Sequence, residues 1–64
     1  MSVEHNGAVL TTREKLAIRT MSNPTLRYTA RKAMSALAVV PGDKYAVELL
    51  EELHTEAEFR GVVL

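Results

Sequence analysis

His54 stands in a glutamate-rich stretch, with Glu51 three residues before it and Glu58 four after. On a helix those spacings bring an imidazole and two carboxylates to one side, the donor types a divalent cation takes. The same spacing arises by chance on any glutamate-rich helix, so the residues favour a surface histidine partly covering Leu50, and no metal site is expected. Neighbouring carboxylates such as Glu51 and Glu52 point about 100° apart on a helix and do not converge as an acid/base pair. The chain has no cysteine nucleophile, and its three glycines, Gly7, Gly42 and Gly61, cannot form a phosphate-cradling loop. His5 falls in an N-terminal stretch with no helical pattern. Catalysis needs groups held in a concave, partly dry site, which short helices seldom enclose. The expectation is therefore no enzyme, no cofactor and no small-molecule substrate.

The second chemistry on offer is cationic. Arg27, Tyr28, Arg31 and Lys32 share one side of a helix, and an aromatic among guanidinium groups can stack on a base or a sugar. Binding to nucleic acid needs cations on one face rather than a particular motif. Met21-Ser22 followed by Thr25-Leu26 also resembles the turn and the start of a helix-turn-helix recognition element. Extended backwards, the alignment puts Leu16 where that motif has a small alanine and Lys15 where it has an apolar residue. Shifted by one, it puts Ser22 and Arg27 on positions that should be buried. The motif fails in either register, while the cations stand as a possible nucleic-acid face beside the plainer reading of a solvated helix surface.

A net charge of zero hides a division along the chain. Arg13, Lys15, Arg19, Arg27, Arg31 and Lys32 face a single acid, Glu14, giving residues 13–32 a balance of +5. Residues 43–60 carry six acids (Asp43, Glu48, Glu51, Glu52, Glu56, Glu58) against Lys44 and Arg60, a balance of −4. Such polarity suits assembly, the basic face of one copy meeting the acidic face of another or of a partner protein. Tyr45, Glu48, Glu52 and Phe59 are the candidate protein-contact residues. Tyr45, Glu52 and Phe59 form a flank outside the apolar stripe of their helix, which would serve as a contact patch or cover the edge of the core.

These residues must be positioned by very little protein. A 64-residue chain is one domain at most, and one so small buries only about 60% of the surface it exposes when unfolded. Disulfides and thiolate metal sites are excluded with cysteine, leaving association as the remaining source of support. With 47% hydrophobic and 25% charged residues the chain is globular in composition, and its longest wholly apolar run, residues 36–40, is too short to cross a bilayer. The opening MSVEHNGAVL has neither a basic leader nor a long apolar segment, so a soluble, cytoplasmic protein without membrane contact is the default.

Caps and periodicity predict an all-α, three-helix domain over residues 10–64 behind a flexible tail, 1–9. The first helix, 11–21, opens with Thr11 and Glu14 at capping-box spacing and presents Leu16, Ala17, Ile18 and Met21. The second, 24–39, follows Asn23 or Ser22 as cap with Pro24 at its first helical position, and its stripe is Leu26, Ala30, Ala33, Met34 and Leu37. Pro41-Gly42 fits the centre of a type II turn. The third, 43–60, has the stripe Ala46, Leu49, Leu50, Leu53 and Ala57, with i,i+4 ion pairs expected at Lys44–Glu48 and Glu56–Arg60 worth about 0.3 kcal/mol each. Gly61 is its expected stop, and Val62-Val63-Leu64 is expected to fold back on the core. The second and third helices should be antiparallel, with the first over both. The functional expectation is a non-enzymatic helical protein–protein interaction module, self-associating as a homo-oligomer or acting as adaptor or inhibitor of a larger protein, with nucleic-acid binding by the second helix as the other reading.

Overall fold

The computed structural model describes residues 9–64, which form three α-helices and, among the described residues, no strand: α1 (Thr12–Thr20), α2 (Asn23–Val39) and α3 (Lys44–Arg60). His5 and all of the expected tail except Val9 lie outside the described residues.

Each helix starts on a side-chain cap. Thr11 and Glu14 close a full capping box: the Glu14 N–H donates to Thr11 Oγ1 at 3.1 Å, and the Thr11 N–H donates to Glu14 Oε1 at 2.9 Å. Ser22 accepts from the Thr25 N–H at 3.3 Å, so Asn23 is the first helical residue and Pro24 the second, still within the turn whose N–H groups have no helical partner. Asp43 accepts from the Ala46 N–H at 3.2 Å. At the far end Gly61 adopts φ 72°, the left-handed region. The Gly61 N–H then reaches the Glu58 carbonyl at 3.1 Å and the Val62 N–H the Ala57 carbonyl at 2.8 Å, the double bond of a Schellman stop.

The turn between α2 and α3 departs from expectation. The Asp43 N–H closes it on the Val40 carbonyl at 3.0 Å, yet among the described glycines only Gly61 has positive φ. Gly42 therefore does not take the conformation a type II turn requires at that position.

α2 and α3 form the principal contact, and α1 packs chiefly on α3 rather than equally over both. The α2–α3 seam is rich in small residues: Ala30 and Ala33 on one side, Ala46 and Ala57 on the other, with Leu26 and Leu53 fully buried. Side chains this short let two helix backbones approach closely, so a modest set of apolar residues suffices to exclude water. Ile18 and Leu10 complete the buried cluster, and Met21, Leu49, Leu50 and Leu64 pack against it. Leu37 is half-buried. Two expected core residues are on the surface: Leu16 is 53% exposed and Met34 51%. Leu16 lies about 160° around α1 from Ile18, so a helix that buries Ile18 must turn Leu16 outward. Met34 lies beside, rather than on, the line through Leu26, Ala30 and Ala33. Leu10, ahead of α1, takes up core space that Leu16 was expected to fill.

Candidate functional site

Two surfaces collect the chemistry. The first is a groove of about 450 Å³ between α1 and α3, lined by Lys15, Ile18, Arg19, Glu52, Thr55, Glu56 and Phe59. Its position follows from helix register. Lys15 and Arg19 sit four apart on α1, flanking Ile18, while Glu52, Glu56 and Phe59 recur at the i, i+4, i+7 spacing of one α3 face. One wall is thus cationic and the other anionic. Lys15 Nζ stands 4.0 Å from Glu52 Oε2, with both side chains more than a third exposed, a pair that solvent leaves weak. Phe59 is 87% exposed on the rim. It does not cover the core edge, and its ring is available to another molecule.

Of the four expected contact residues, the groove takes Glu52 and Phe59. The other two serve the fold. Tyr45 Oη donates to Glu14 Oε2 at 2.9 Å, tying the start of α3 to the capping box of α1. The Thr11 N–H and this phenol hold the Glu14 carboxyl below the ordinary carboxylate range, and in return the Glu14 carboxylate pushes the Tyr45 phenol up. Glu48 Oε1 accepts from the Val9 N–H at 2.8 Å and the Leu10 N–H at 2.9 Å. Those backbone donors, Leu10 foremost, lower its pKa. Glu48 consequently does not form the expected pair with Lys44. Glu56 and Arg60 do pair, at 2.8 Å.

Sequence reasoning assigned no site role to Lys15, Arg19 or Thr55, because nothing local says which face of α1 meets α3. Helical register carried no signal for them, because it did not distinguish an inward Ile18 from an inward Leu16.

The second surface is the outer side of α2. Arg27, Tyr28, Arg31 and Lys32 are all exposed, Tyr28 at 63%. Pro24, Arg27, Tyr28 and Arg31 line a shallow depression of about 260 Å³. Lys32 Nζ lies 5.6 Å from the centroid of the Tyr28 ring, a cation–π distance. Arg27 Nε donates to the Val63 carbonyl at 3.2 Å. His54 is exposed on α3, and among the described residues no three of His, Asp and Glu stand together as metal ligands. Also among the described residues, no helix is long and apolar enough to cross a membrane.

Compared with protein-family models, with curated proteins and with solved structures, the chain matches none.

Proposed function

We infer that the protein is a non-enzymatic interaction module that associates with a second copy of itself through the groove between α1 and α3. The observation that carries this reading is Phe59, a large apolar side chain 87% exposed on the rim of that groove. Exposed aromatics ringed by charge are the usual anchors of protein contacts.

A second copy suits the groove because its two walls have opposite sign. A two-fold axis across it sets Lys15 and Arg19 of each copy against Glu52 and Glu56 of the other, so one patch satisfies itself. The small core supports the same reading, since association would bury the Phe59 ring and the apolar stems of the lysine and arginine.

The test is solution mass by light scattering on a sizing column, for the natural chain and for Phe59→Ser. A dimer that becomes a monomer in the variant, with helicity unchanged, is the expected outcome. A monomeric natural chain, or a variant of unaltered mass, would overturn it.

A further inference from the structure

We propose that the outer face of α2 is a binding site for single-stranded nucleic acid, with Tyr28 as the stacking platform and Arg27, Arg31 and Lys32 as the phosphate contacts. This site is separate from the groove, which α1 and α3 form between them.

The argument begins with what α2 lacks. Its 17 residues contain three cations and no acid, in a chain whose charges balance overall. Of the cations outside α2, Lys15 stands opposite Glu52 and Arg60 pairs with Glu56, while Arg13, Arg19 and Lys44 have no carboxylate at ion-pair distance among the described residues. Among the described residues, Arg27, Arg31 and Lys32 have no carboxylate at ion-pair distance, so their field is directed at solvent.

The arrangement is also more specific than a solvated cationic face. Arg27 and Arg31 are one turn apart and, with Pro24 and Tyr28, line a shallow, open depression. Its walls offer guanidinium donors beside an aromatic ring, the pairing that holds a phosphate and stacks the attached base. Lys32 near the ring adds a third positive charge. Arg27 is oriented beforehand by its bond to the Val63 carbonyl, which uses Nε and leaves the two terminal nitrogens directed elsewhere. A single strand fits this site better than a duplex, because only an unstacked base can lie on an exposed tyrosine.

The test is fluorescence anisotropy with a labelled oligothymidylate and a matching oligouridylate, measured between about 50 mM and about 200 mM salt. Three phosphate contacts on a single strand predict a log–log salt slope of about −2. Tyr28→Ala should weaken binding about tenfold, as loss of one stacked base does, and Arg31→Ala or Lys32→Ala should weaken it and flatten the slope. No binding at the lowest salt would overturn the proposal. So would a Tyr28→Ala variant that binds as tightly as the natural chain. Polyglutamate or phosphatidylserine vesicles competing as well as the strand would likewise assign the face to anions in general. All three substitutions are at exposed positions, so unchanged helicity separates loss of binding from loss of fold.

Discussion

Arg60, in the last turn of α3, donates through Nη2 to the carbonyl of Arg19 at 3.0 Å, so the C-terminal end of α1 is capped by a side chain 41 residues away. The same guanidinium reaches Asn23 Oδ1 through Nη1 at 3.0 Å and Glu56 Oε2 through Nε at 2.8 Å. One planar fork thus joins the end of α1, the start of α2 and the end of α3. Because the group is largely buried, Arg60→Ala should cost about 2 kcal/mol, the scale of hydrogen bonds to a charged donor. Lysine cannot reproduce the fork, and Arg60→Lys should recover only part of the loss. Urea unfolding followed by circular dichroism measures both.

The acid sensitivity of the fold should centre on Glu48 and Glu14. Both carboxyls are held below their ordinary pKa in the folded chain, Glu48 by the Leu10 and Val9 N–H groups and Glu14 by the Thr11 N–H and Tyr45. A lowered folded pKa means that the unfolded chain binds protons first. Their stabilising contribution is therefore complete above the unfolded carboxylate value of about 4.3, and it is lost as pH falls through the lower folded values. Glu48→Gln should flatten the fall in urea midpoint below that pH. A variant with the natural pH profile would show that Glu48 does not hold the segment that places Leu10 in the core.

The two glycines that punctuate α3 should respond oppositely to alanine. A Cβ at either meets nothing within 4 Å, so backbone conformation decides the sign. Gly61 at φ 72° would force alanine into the left-handed region, at a cost of about 1 kcal/mol. Gly42 has no positive φ, and Gly42→Ala should stabilise by about 0.5 kcal/mol through the unfolded chain. Thermal melts of the two variants should move in opposite directions. The sequence made these glycines look alike in kind, one a type II turn residue and the other a helix stop, because composition alone does not report which φ a loop adopts.

The core should comprise the α2–α3 seam together with Ile18 and Leu10, and leave out the back of α1. Leu53 is fully buried, and Leu53→Ala should cost about 2–5 kcal/mol, enough to unfold so small a domain. Leu16→Ala, on the exposed back of α1, should change stability by less than about 0.5 kcal/mol. Chemical denaturation distinguishes them directly.

The contrast between those leucines marks how far the sequence was legible. Helix ends were readable because Thr11, Ser22 and Gly61 act on backbone groups within a few residues, whereas Asp43, expected as the first residue of the third helix, is its cap. The seam was readable because Leu26, Ala30 and Ala33 keep helical register over a long element. α1 has only nine residues, and its apolar members spread around the axis, so register could not say whether Leu16 or Ile18 faces inward. Glu48 and Arg60 were assigned to surface ion pairs. Their main partners, Val9 and Leu10 for one and Arg19 and Asn23 for the other, lie 37 to 41 residues away and exist only once the helices are packed. Of the candidate site, the α3 wall was visible as a flank through Glu52 and Phe59. The α1 wall required knowing which helix α1 meets.

If two copies meet across the groove, exchanging charges should control which copies can pair. Lys15→Glu alone sets a carboxylate against Glu52 of the facing copy, twice over by symmetry, and should yield a monomer. Glu52→Lys alone sets ammonium against ammonium with the same result. In an equimolar mixture both crossed contacts are again between opposite charges, so a mixed dimer should form where neither variant dimerises alone. Both positions are at the groove wall and outside the fully buried set, so the fold should tolerate either change. Light scattering of each variant and of the mixture reads the outcome, and high salt should narrow the difference by screening both repulsion and attraction. Two variants that stay dimeric on their own would mean that Lys15 and Glu52 are not across the contact from one another. Two monomers that fail to combine would mean that their loss of assembly came from something other than charge.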